Sequence, residues 1–264
     1  MRGRIPPAGR GVEHAPRAET DAQLADDAAR LDLADAVDPV PVLPRTARRA
    51  NTMISASCGV AFAVIATWIS HSHTVPAIDR EIHTWVLLHR SSWNNDIART
   101  VRWGGMSEIV LPALLVAGTL AARGRPSARL KSGTGLTVIA SAGIYIETWV
   151  NALIDRVRPP AADWAGPAAG ASFPSGHTTA ATLFAVCCAW ALMARVPPGW
   201  PRRATYAAAA LYAVVLGWSR IWLGVHWPTD VLGGVLFSVA WTSGIMATLP
   251  VRTWRLRVAT RPRH

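Results

Sequence analysis

Ser219-Arg220, then five residues, then His226, then three, then Asp230: these side chains have the types and spacing for phosphoryl transfer. Upstream, Pro174-Ser175-Gly176-His177 opens one apolar stretch, and Arg158-Pro159 closes the one before it. Arginines grip phosphate oxygens with paired N–H groups. Backbone N–H groups at a helix start add anion donors. One histidine can attack phosphorus while another protonates the leaving oxygen. A carboxylate one helical turn from His226 can accept its Nδ1 proton, which fixes the tautomer and frees Nε2 as a nucleophile.

The elements that must bring these residues together are apolar segments. About half of the 264 residues are hydrophobic and few are charged, which fits a membrane protein better than a soluble domain. Six stretches are candidates to span a bilayer: 51–70, 106–122, 133–154, 178–195, 204–222 and 229–249. With the N-terminus inside, the inner loops and segment edges carry 15 basic residues and the outer ones 7. The positive-inside rule selects this orientation. Segments three and five then end on the outer face, where four and six begin. All the motif residues therefore converge on one outward-facing site. The fold expected is an all-α, polytopic membrane protein of about six transmembrane helices.

Three zones follow: a polar cytoplasmic tail over 1–50, a membrane domain over 51–250 and a basic cytoplasmic tail over 251–264. The first zone is rich in Ala, Asp, Pro and Arg and reads as disordered, with a short acidic helix possible over Asp21 to Val37. With no secretory signal at the start, the first apolar run reads as an uncleaved anchor. Between segments one and two, Ile78, Ile82, Trp85 and Val86 form a stripe at helical spacing, read as an amphipathic helix in the outer interface or packed on the bundle. Trp68, Trp103, Trp164, Trp218, Trp222 and Trp227 lie near the outer ends, as in an aromatic belt.

The net charge is +11, and every basic residue except Lys131 is arginine. These arginines are spread among loops and form no stripe, which excludes a nucleic-acid partner. Cys58, Cys187 and Cys188 lie in apolar runs without ligand or disulfide spacing and read as buried small residues. His71, His73, His83 and His89 share the first outer loop and read as interfacial histidines. Glu147 lies inside the third segment, and an ionisable group at that depth is functional by default.

Each motif also has a plainer reading. Pro159 ends segment three by pushing its predecessor out of helical geometry, and Arg158 alone reads as a snorkelling arginine. Ser175 is placed to cap segment four, with Gly176 allowing close approach of an anion. Pro228 suits the first position of segment six, and Asp230 in its first turn also stabilises the helix dipole.

Together the motifs resemble the type 2 phosphatidic acid phosphatase superfamily. Its signature reads Lys-x6-Arg-Pro, Pro-Ser-Gly-His and Ser-Arg-x5-His-x3-Asp. The resemblance covers roughly 50–250 and departs at one point, where Asn151 stands for the motif lysine. It implies His226 as the nucleophile forming phosphohistidine, His177 as the general acid and Asp230 as the orienting carboxylate. It implies a phosphate pocket of Arg158, Ser175, Gly176 and Arg220, with Asn151 or Arg156 as further candidates. Arg156 is the residue that would restore the charge lost at 151.

The implied function is an integral phosphatase for a lipid phosphate or diphosphate: a polyprenyl diphosphate first, or phosphatidic acid or phosphatidylglycerol phosphate. It would sit in the plasma membrane with its site on the extracytoplasmic face. No metal or other cofactor is expected, since arginines and a helix dipole stabilise the charge. The rivals are a phosphotransferase using a lipid phosphate donor, a vanadate-dependent haloperoxidase, which the apolar segments disfavour, and a non-catalytic lipid-binding homologue, raised by Asn151.

Overall fold

The structure is a computed structural model describing residues 45–72, 74–193 and 195–248. The proposed acidic helix over Asp21 to Val37, His73 and the basic tail 251–264 lie outside the described residues. Eight α-helices occur among the described residues. They are α1 (Arg45–His71), α2 (Ala77–His89), α3 (Ser92–Val101), α4 (Ser107–Ala121), α5 (Pro126–Ile154), α6 (Gly176–Leu192), α7 (Trp200–Trp222) and α8 (Pro228–Thr248). Helices α1, α4, α5, α6, α7 and α8 coincide with the six apolar segments, and α1 begins at Arg45, inside the zone read as tail.

Helices α1, α5 and α8 are each long and apolar enough to cross a membrane. Helix α3 with the 3-10 turn Arg102–Gly105, joined to α4, meets the same test as one span bent by 55°. Three helices, or four with the bent pair, therefore satisfy it where six were expected. Helix α6 has 17 residues and is about 26 Å long, short of a hydrocarbon core of about 30 Å. In α7 the alanine-rich apolar run is bounded by Arg202, Arg203 and Arg220.

Helix α6 is central and touches α4, α5, α7 and α8, while α1 lies along α8 and α4 along α5. Its first two turns, Gly-His-Thr-Thr-Ala-Ala-Thr, are small enough to be enclosed: Thr178, Thr179, Ala180, Ala181, Thr182 and Leu183 are all buried. Two of its hydroxyls bond locally, Thr178 Oγ1 to Ser175 Oγ at 3.0 Å and Thr182 Oγ1 to the Thr178 carbonyl at 2.8 Å, and from α8 Ser238 Oγ donates to the Thr179 carbonyl at 3.1 Å. Helices α4 and α5 meet backbone to backbone, since a methyl group at Gly118 would lie 2.9 Å from Gly133 Cα. Small residues permit this approach where lipid supplies no hydrophobic drive between helices. Leu114, Leu136, Ala140, Leu183 and Cys187 form the adjoining core.

Helix α2 turns a mainly polar face inward. It buries Asp79, His83 and Val86, spaced i, i+4, i+7. Of the apolar stripe, Ile78 and Trp85 are exposed. The inward face is held by polar bonds: His83 Nε2 pairs with Asp163 at 3.0 Å. His83 is thus a buried, paired residue and not an interfacial one. Trp227 likewise leaves the belt, being buried with its indole N–H on the Val157 carbonyl at 3.0 Å.

Candidate active site

Four helix ends meet at one end of the bundle: the C-termini of α5 and α7 and the N-termini of α6 and α8. Helix α5 ends at Ile154, the expected bound of segment three, but through Asp155 and not through Pro159. Asp155, in the left-handed region at φ 45°, caps it at Ile154, so Arg158 stands in the loop beyond. On α8, Pro228 fills the first position as expected. Asp230 reaches back to accept the Trp227 backbone N–H at 2.7 Å, the acid half of a capping box.

His226 lies between α7 and α8, only 2% exposed. Its Nδ1 is 2.9 Å from the Ser172 carbonyl oxygen and 3.4 Å from Asp230 Oδ2. A carbonyl oxygen only accepts, so Nδ1 carries the proton and Nε2 the lone pair. The tautomer is the one the sequence required, but its nearest anchor is a backbone carbonyl, with the carboxylate behind. Arg158 Nη1 donates to Nε2 at 2.9 Å.

Burial pushes His226 down to about 4 from the usual histidine range, against the opposing pull of Asp230. The folded value lies below that of an unfolded histidine, about 6.5. The unfolded chain therefore takes up the proton first as pH falls. Stability held by the neutral ring is intact above about pH 6.5, falls as pH drops towards about 4 and is flat below it. Melting curves in detergent across that window should show wild type losing more stability than His226→Gln; parallel curves would contradict this.

Asp230 is fully buried and ties several segments together. One oxygen accepts from Arg156 and the other from the Ser172 hydroxyl as well as Trp227 N–H. Its backbone carbonyl accepts the Ser175 N–H at 3.1 Å. Arg156 also donates through Nη1 to Thr229 Oγ1 at 2.7 Å and through Nη2 to Asp79 Oδ2 at 2.7 Å. Asp79 in turn accepts the Thr229 N–H at 2.9 Å and its hydroxyl at 2.6 Å. Arg156 is therefore neutralised by two carboxylates, which leaves it little charge for a substrate.

Arg158 is similarly engaged. Besides His226, it donates to the carbonyls of Val225 at 2.7 Å, Gly170 at 3.0 Å, Ala169 at 2.8 Å and Ala171 at 2.8 Å. All five of its N–H groups are used, so it shapes the loop before α6 as well as facing Nε2. Asn151 does parallel work, donating to the carbonyls of Ala171 and Pro174, each at 3.1 Å.

Arg220 and His177 contrast with these. Arg220 is 1% exposed, yet among the described residues its Nε and Nη1 have no partner, and Nη2 reaches only the Pro167 carbonyl at 3.4 Å. His177 Nε2 is also buried without a partner. His177 lies within range of the charges of Arg220, Arg102 and Arg158. Buried donors without acceptors are costly and rare. Ser175 occupies the N-cap position of α6 but makes no side-chain cap bond; its hydroxyl accepts from Thr178 Oγ1 at 3.0 Å. Next to it, a methyl group at Gly176 would lie 3.5 Å from a Glu147 carboxylate oxygen, so Glu147 closes the α5 side of the site.

The structure thus brings His226, Asp230, Arg158, Arg156, Asn151 and Ser175 into one bonded network, with His177 and Arg220 beside it. Sequence reasoning missed Asp79 and Ser172. Asp79 carried a usable signal, its helical spacing with His83 and Val86; Ser172, in an irregular loop, carried none.

The PAP2 superfamily model matches residues 122–254. Phosphatidylglycerophosphatase B of Bacillus subtilis (strain 168) is 31% identical over 176 residues, 66% of this chain and 83% of that protein. An undecaprenyl-diphosphatase of the same organism is 38% identical over 72 residues, 27% of this chain and 32% of that one. The crystal structure of a transmembrane PAP2-type phosphatidylglycerolphosphate phosphatase from Bacillus subtilis is similar with a TM-score of 0.64 at 26% identity. It covers 73% of this chain and 93% of that chain. With the three motifs at one end of an all-helical bundle and a matching fold and sequence, this chain belongs to the PAP2 superfamily.

Proposed function

We propose that the chain hydrolyses a lipid phosphate or diphosphate at the outer membrane face through a phosphohistidine on His226. The observation that carries this reading is the His226 ring. Its Nδ1 is bonded to the Ser172 carbonyl at 2.9 Å and its Nε2 lone pair faces a guanidinium. A ring held in that tautomer and kept neutral is a nucleophile.

On substrate binding, an Arg158 N–H shifts from Nε2 to a phosphoryl oxygen. Nε2 then forms a bond to phosphorus as the phosphorus–oxygen bond breaks. His177, held as the imidazolium once the phosphate's negative charge lies beside it, gives its Nε2 proton to the leaving oxygen. Arg220, with two donors unspent, binds the equatorial oxygens as charge spreads over them. Water next attacks phosphorus, the nitrogen–phosphorus bond breaks and His177 takes up the proton. A diphosphate leaves as lipid monophosphate, a monophosphate as lipid alcohol. A site at a bundle end suits a substrate whose tail stays in the bilayer. The names of the relatives, one acting on undecaprenyl diphosphate and others on phosphatidylglycerophosphate, support a polyprenyl diphosphate or a glycerophospholipid phosphate.

The test is purified protein in detergent with EDTA, offered each of these lipids, with released phosphate measured. Release from at least one, with an acid-labile phosphoenzyme, is expected. Release from none would favour the non-catalytic lipid-binding reading. The outward orientation has its own check. A cysteine introduced within 160–172 should react with an impermeant thiol reagent applied to intact cells, and one within 196–203 should not. The opposite pattern would place the site in the cytoplasm.

A further inference from the structure

The geometry points to Arg102 as a third arginine of the phosphate site, contacting phosphoryl oxygens beside Arg220 and His177. This rests on the phosphatase reading above. Arg102 opens the 3-10 turn Arg102–Gly105 between α3 and α4, upstream of the residues 122–254 that the family model matches. The turn is fixed from two sides. A methyl group at Gly105 would lie 2.7 Å from the His177 carbonyl oxygen, so the turn sits directly on the first turn of α6. From α7, the Tyr212 hydroxyl donates to the Gly104 carbonyl at 2.7 Å.

The Arg102 guanidinium has no anion to answer it among the described residues. Its Nε is buried without a partner. Its contacts are the Met106 sulfur at 4.0 Å and the Trp103 ring at 4.8 Å. It is close enough for its charge to act on both His177 and Arg220. Arg220 also has no carboxylate partner among the described residues and keeps two donor nitrogens unspent. Two guanidinium groups that repel one another beside a histidine, with buried N–H groups unspent, are stabilised by a multivalent anion. Phosphate supplies both the charge and the acceptors.

The other cations nearby are already occupied. Arg156 is balanced by Asp79 and Asp230, and Arg158 spends its donors on carbonyls and His226. Asn151, at the motif lysine position, spends its amide on the loop before α6. Arg102 therefore brings positive charge to the site from a different helix pair.

Orthovanadate binding to the detergent-purified full chain tests this without requiring turnover, read as a vanadate-dependent rise in melting temperature. Arg102→Gln is expected to weaken vanadate about tenfold to a hundredfold, and Arg102→Lys by less than about threefold, because charge is retained. Arg203→Ala, on the exposed start of α7, should bind as wild type does. Melting without vanadate confirms that each variant is folded, and the lysine variant decides the matter should the glutamine variant fail to fold. Wild-type affinity in Arg102→Gln overturns the assignment of Arg102 and leaves the phosphatase reading standing. A loss in Arg102→Lys as large as in Arg102→Gln marks packing instead of charge and also overturns it. Absence of vanadate binding by wild type overturns the phosphate site itself.

Discussion

Replacing His226 with alanine is expected to abolish phosphate release, by roughly four to six orders of magnitude where the nucleophile itself is removed. It should also abolish the acid-labile phosphoenzyme. The two readouts together matter. A variant that lost turnover yet still formed phosphoenzyme would place the covalent bond on another group. The fold should survive, because the ring contributes one bond to the Ser172 carbonyl and one to Arg158, and Arg158 keeps four carbonyl partners without it. The melting temperature in detergent should therefore move by far less than the activity. Turnover within about a hundredfold of wild type would show that His226 is not the attacking group.

Much of this site was legible in the sequence because its parts lie at helix ends, where few residue types satisfy local geometry. Pro228 and Asp230 announce the start of α8, and the spacing back to His226 then fixes where its ring must be. What the sequence obscured lies in irregular chain and in lipid-facing logic. Three of the partners of Arg158 are carbonyls of residues 169–171, and no pattern of side chains predicts which way a carbonyl points. The α2 stripe left two outcomes open, since apolar side chains can turn to the bundle or away from it. In the structure Ile78 and Trp85 are exposed. The helix's polar residues, Asp79 and His83, then become the inward ones. Arg156 followed from the same gap: without Asp79 on the inner face, it read as a spare cation.

The buried triad of Asp79, Arg156 and Asp230 gives the largest expected effect on stability. Arg156 is shielded from solvent and both carboxylates are fully enclosed. Removing the middle member leaves two buried anions facing each other without a counterion. Breaking a buried pair in this way costs about 3–5 kcal/mol, so Arg156→Met should lower the melting temperature in detergent by on the order of 10 °C. The second substitution is diagnostic. Asp79→Asn added to Arg156→Met removes one orphaned charge while its amide oxygen can still accept the Thr229 N–H. The double variant should therefore be more stable than Arg156→Met alone. Activity should not return in parallel, because Asp230 has lost the arginine that holds one oxygen while Ser172 and Trp227 hold the other. If Arg156→Met melted within about 2 °C of wild type, the network would be stabilising little. If the double variant were the less stable, the two carboxylates would not be competing for the same cation. Recovery of stability without recovery of turnover would separate the two tasks of this arginine: holding α2 against the start of α8, and keeping Asp230 aligned behind the histidine.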